Sequence, residues 1–182
     1  MKLALYLFFY CFIAESVWAS EFSAVVRNVK TELVADGYEL NADIDFKLSP
    51  VAREALQKGI SLAWRVVIKV EREGVLWNST LQEISLGYQI QNHALLNLYS
   101  VKSLNNGEKN IFSTLAGALD YISKIRRLSI IEKHFIKSDQ HCFVAIKVIF
   151  QHEALPVPIR PFSYFDSQWA LSGRWAVWPL AK

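Results

Sequence analysis

The stretch Tyr38-Glu39-Leu40-Asn41-Ala42-Asp43-Ile44-Asp45-Phe46-Lys47-Leu48 decides the fold class. Its even positions are all apolar and its odd positions all polar or charged. Successive side chains of a strand point to opposite faces, so this is a β-strand with one face on a core and the other in water. Phe22 to Val34 reads as a less regular strand before it, and Asp36-Gly37 is the turn that makes the two a hairpin.

The same periodicity recurs on the C-terminal side, interrupted by helical spacing. Ser49 is an N-cap, Pro50 suits the first helical position and Gly59 a left-handed stop. Between them Val51, Ala52, Ala55 and Leu56 share one helical face. Period two returns at Ile60, Leu62, Trp64, Val66, Ile68 and Val70, and Gly74 ends that strand. A long strand follows through Ile84, Leu86, Tyr88 and Ile90. His93 to Val101 reads as another, and Ser103 to Gly107 as a polar loop. Ser113 opens a second helix whose Leu115, Ala118, Leu119 and Ile122 form a buried stripe, with Arg126-Arg127 near its end complementing the helix dipole. Leu128 to Ile131 and His141 to Phe150 are two more strands. Pro156, Pro158 and Pro161 predict a stiff extended link, since each proline fixes φ and removes a donor. A last alternating segment places Trp169, Leu171, Trp175 and Val177 on one face and Ser172, Arg174 and Trp178 on the other. The expected class is α+β: a mainly antiparallel sheet of about seven to eight strands, with sandwich-like pairing among the arrangements allowed, and two short helices.

Residues 1–19 read as a cleaved secretory signal. Lys2 gives a positive n-region, Leu3 to Ala14 an apolar h-region, and Val17-Trp18-Ala19 a small-residue cleavage site near Ala19. The h-region is too short to span a bilayer of ~30 Å, so no transmembrane segment is expected after cleavage. Residues 20–182 then form a single domain, expected in the periplasm or secreted. Its net charge of +3, with both signs mixed, gives no footprint for nucleic acid. Cys11 falls inside the leader, which leaves Cys142 as the one thiol of the mature chain. Cys142 sits among Phe143, Val144 and Ile146 and is expected to be a buried small hydrophobe.

No catalytic, cofactor-binding or metal-ligating residue is assigned from these patterns, and no cofactor is expected. His93, His134, His141 and His152 lack the spacing of zinc ligands. Asp43 and Asp45 project from one strand face as paired carboxylates could, but that face is the solvated one. No nucleophile motif or glycine-rich phosphate loop is present. The aromatic C-terminal region is the most suggestive surface. Trp and Tyr are enriched at interfaces, and Trp178 with Arg174, on the face opposite the core, are the candidate partner contacts.

Taken in order, DGYELNADIDFKLSP, ALQKGISLAW, GYQIQNHALLNLYSV, STLAGALDYI, ALPVPIRP and WALSGRWAVW give the chain a family likeness from about Asp36 to Leu180. It resembles a bacterial exported family described as a domain of unknown function, DUF4390. It departs from that family's arginines before the aromatic at Trp77, having Glu71-Arg72-Glu73-Gly74 there. It also has Leu96-Asn97-Leu98 where the family tends to a Thr-Arg-Gln run. The resemblance implies an envelope protein with no established activity, and a partner linked to sensor kinase systems. The expected function is a non-enzymatic binding or accessory module for another envelope protein. The alternatives are an envelope hydrolase assembled from scattered residues such as His93, Asp43 and Glu83, or a small outer-membrane barrel.

Overall fold

The computed structural model of the protein describes residues 22–137 and 140–181. The expected leader, with its expected cleavage site and Cys11, lies outside the described residues. Two antiparallel sheets pack face to face. The first holds β1 (Ala24–Leu33), β2 (Gly37–Phe46) and β7 (Lys124–Glu132) in the order β1-β2-β7. The second holds β3 (Leu62–Arg72), β4 (Ser79–His93), β5 (Leu98–Ser103), β6 (Lys109–Phe112), β8 (Cys142–Phe150) and β9 (Ala176–Pro179), in the order β6-β5-β4-β3-β8-β9. Among the described residues no helix is long and apolar enough to cross a membrane. Both sheets are open at their edges, whereas a membrane barrel closes on itself.

Period-two patterning sets the layers. Tyr38, Leu40, Ala42 and Ile44 of β2 face Leu62, Trp64, Val66, Ile68 and Val70 of β3 and Val144, Ile146, Val148 and Phe150 of β8, all buried in one core. The β3–β8 register places Trp64 opposite Phe150 and Val70 opposite Val144. A run of aromatic rings crosses the core. Trp64 meets Phe46 edge-on at 5.4 Å and Phe150 at 5.5 Å, and Phe150 stacks on Trp169 at 6.1 Å.

Most turn and cap residues occupy the expected places, and Gly37 has a further reason for its own. Leu33 pairs with Tyr38 across the first hairpin, but Gly37 is there for space. A Cβ on it would stand 2.4 Å from the Ile131 carbonyl oxygen of β7. Helix α1 (Pro50–Gln57) is capped by Ser49, whose Oγ accepts from the Ala52 N–H at 3.0 Å. It ends at Gly59 with φ +84°, and the Gly59 and Ile60 N–H groups donate to Leu56 and Ala55. Helix α2 (Leu115–Ser123) is capped by Thr114, one residue later than read.

Several expectations need correction. Val51 is on the exposed side of α1. His93 closes β4 and does not open a strand: a 3-10 turn at Ala94–Leu96 and a left-handed Asn97 separate it from β5. Strand β6 leaves no mark on the sequence pattern, because four residues are too few to show a period. Arg126 and Arg127 belong to β7 and do not face a helix end. The Arg126 guanidinium donates to the Ala42 carbonyl and pairs with Asp43 across the sheet. The Pro156–Pro161 segment is turn and helix, not an extended link. The Ile159 and Arg160 N–H groups donate to the Pro156 carbonyl, and Pro161 lies in the first turn of a third short helix, α3 (Arg160–Ser163), where its missing N–H costs nothing.

Candidate functional site

β1 is an edge of the first sheet and β9 an edge of the second, and the segments on either side of β9 reach β1. Two contacts fix them. Gly173 lies against the Ala24 carbonyl, and the Ala181 N–H donates to Thr31 Oγ1 at 2.8 Å. The segment leading into β9 is itself anchored to β8: the Phe150 N–H donates to Ser172 Oγ at 2.9 Å and the Gly173 N–H to the Val148 carbonyl at 2.8 Å. Between these elements runs a groove of about 300 Å³, walled by residues 23–26 and 172–176.

Unpaired backbone groups border this seam. The Lys47 N–H donates to the Ser23 carbonyl, and Ala24 and Val26 stand opposite Phe46 and Ile44. Antiparallel pairs alternate, so Ser23 and Val25 turn their polar groups to β2, while Ala24 and Val26 turn theirs away. On the other strand the Leu180 N–H donates to the Cys142 carbonyl. By the same alternation Trp178 and Ala176 bond towards β8, and Val177 turns its N–H and C=O outward. Pro179 stands at the next outward position and has no N–H to offer, a common way of blunting an edge.

Side chains at the mouth are aromatic and basic. Trp175 is 44% exposed, with Lys69 Nζ and Lys147 Nζ at 5.6 and 5.7 Å from its ring centroid. Lys69 also pairs with Glu83 at 3.2 Å. Arg174 and Lys147 make no ion pair among the described residues, so the rim carries an excess of positive charge.

Of the two candidate contacts, Arg174 is exposed and lines this groove. Trp178 is half-buried, opposite Val144, and packs against the core. The expected parity is reversed: Trp175 and Val177 are the exposed residues, while Trp169 and Leu171 are buried as read. Period two carries a face along a continuous strand only. Here a 3-10 turn at Ser167–Trp169 and a non-strand stretch through Gly173 and Trp175 precede Ala176, so the count restarts. Ser172-Gly173 was the available signal for that restart.

The scattered hydrolase residues are not brought together. Asp43 is on the outer face of the first sheet, where the Arg126 guanidinium and the Asn28 amide hold its carboxyl below the ordinary carboxylate range. Glu83 pairs with Lys69 on the second sheet. His93 Nε2 lies 2.9 Å from Ser100 Oγ at the end of β4. A second serine–histidine contact joins His152 Nδ1 and Ser163 Oγ at 2.8 Å. Ser163 is buried and donates to the Arg160 carbonyl, so its hydroxyl is not free as a nucleophile. Glu153 accepts from the Tyr164 hydroxyl and not from His152. Among the described residues no group of three or more His, Cys, Asp or Glu is placed to hold a metal. Cys142 is partly buried against the core, and burial pushes its thiol up, away from reactive thiolate.

A family model described as "Domain of unknown function (DUF4390)" matches residues 21–179, and the chain belongs to that family. No curated protein and no solved structure matches the chain.

Proposed function

We propose that this member of the DUF4390 family is an exported periplasmic accessory module that binds another envelope protein and catalyses no reaction. The observation that carries this reading is the groove between the start of β1 and the segment leading into β9, with the exposed pair Arg174 and Trp175 at its mouth. An extended segment can bond to an open strand edge through its main chain, while pockets beside the edge select its side chains. The unpaired Arg174 and Lys147 favour a segment bearing Asp or Glu. The leader-like residues 1–19 support export, and the family resemblance points to a component of a sensor kinase system as the partner. The dispersal of Asp43, Glu83 and His93 over separate faces leaves the hydrolase reading without an assembled site.

The test places a photoreactive residue at position 175 in cells, with position 121 on α2 as control. One envelope protein should be cross-linked from 175 and not from 121, and Arg174→Glu should abolish that product. Equal labelling from both positions, or an unchanged product in Arg174→Glu, would count against the groove as the contact. Fractionation with intact-mass measurement checks the compartment: a mature chain beginning after Ala19 in the periplasmic fraction is expected.

A further inference from the structure

The turn between β3 and β4 displays three apolar side chains in succession. Val75 is fully exposed, Leu76 81% and Trp77 77%. The chain folds back closely on itself: a Cβ at Gly74 would stand 2.1 Å from the Trp77 carbonyl oxygen. The three side chains are thus presented by a defined turn. Arg72 pairs with both Ser79 and Cys142, and Gly37 with Glu132. The β1–β2 turn and the β7–β8 connection therefore lie at the same end, where the latter adds an exposed Phe135.

We propose that the Val75-Leu76-Trp77 tip is a membrane-contact element that inserts into the headgroup region of a lipid bilayer. Apolar residues clustered on a surface mark a place where they are meant to leave water. The shape selects the occupant. A stable protein interface needs ~800 Å² from each partner, far more than three side chains on one turn can supply. A bilayer interface requires no complementary surface, accepts apolar groups to a depth of roughly 5–10 Å, and holds Trp rings at headgroup level. The charges around the tip are mixed: Glu71, Arg72 and Glu73 at its base, Asp36, Glu132, Lys133 and Lys137 on the neighbouring connections. Binding accordingly depends on the apolar side chains and little on anionic lipid. This contact is separate from the β1–β9 groove and does not depend on it.

Vesicle flotation tests it, with phosphatidylcholine alone and with phosphatidylcholine plus phosphatidylglycerol. The mature protein should float with both. The triple variant Val75→Ser, Leu76→Ser, Trp77→Ser should lose at least about tenfold in partitioning, since each deleted side chain removes apolar burial in the interface. Its thermal unfolding should be unchanged, because none of the three contributes to the core. The variant Leu95→Ser, Leu96→Ser alters two exposed residues beyond the opposite end of β4 and should float as the parent does. The proposal is overturned if the parent protein does not float, if the triple variant floats equally, or if the Leu95, Leu96 variant loses as much. Sedimentation without vesicles covers the other occupant: a dimer that the triple variant loses would assign the tip to a second copy of the chain and overturn it.

Discussion

Gly173 meets the main-chain carbonyl of Ala24 so closely that a Cβ on it would stand 2.2 Å from the oxygen. The obstruction is backbone on both sides and cannot be relieved by turning a side chain. Gly173→Ala should therefore prise β1 away from the segment before β9, at a cost of about 1–3 kcal/mol. Urea denaturation reads this directly. A midpoint equal to that of the parent would mean that the two edges separate freely and are not pinned there.

Trp64 is buried at the centre of the aromatic run, yet its indole Nε1 has no hydrogen-bond partner. An unsatisfied buried donor offsets part of what the ring contributes. Trp64→Phe removes that donor and keeps much of the packing, so it should cost less than about 2 kcal/mol. Trp64→Ala opens a cavity and should cost about 3–5 kcal/mol. A loss in Trp64→Phe as large as that in Trp64→Ala would show that a phenyl ring recovers none of the packing.

His152 is held below the ordinary imidazole range, because burial disfavours its charged form. The unfolded chain takes up this proton near pH ~6.5, and the native protein only at lower pH. Stability from the neutral ring is thus complete above that value and declines as pH falls below it, until the native ring also titrates. His152→Gln should flatten this acid-side decline in denaturation midpoints measured between neutral and mildly acidic pH. An unchanged slope would assign the decline to other groups.

Much of the core could be read from residue order. The alternation from Tyr38 to Phe46 names four of its buried side chains, and the β3 alternation names five more. Ser49, Pro50 and Gly59 delimit α1 because capping is a local interaction that needs no knowledge of the rest of the chain. What stayed hidden depends on distant neighbours. Gly37 looks like a turn residue until β7 is laid against it. Arg126 looks like a helix terminus until Asp43 and the Ala42 carbonyl come across the sheet. The groove arises where the start of the first strand meets the segment leading into the last, and neither Ala24 nor Gly173 carries any sign of the other.

The meeting of β1 and β9 also has a kinetic meaning. Contacts between Ala24 and Gly173, and between Thr31 and Ala181, close the longest loops in the domain, and long loops carry the largest closure entropy. The β3–β4 hairpin and β3–β8 pair, by contrast, form an extensive ladder in the middle of the larger sheet. Such a seam is expected to form late and to open before the central strands, in the manner of the low-stability units from which binding surfaces are drawn. The Ala181 amide should then exchange its hydrogen well ahead of those of Val66 and Ile68. Opening of the seam would expose the β1 edge to an incoming strand without first unfolding the core.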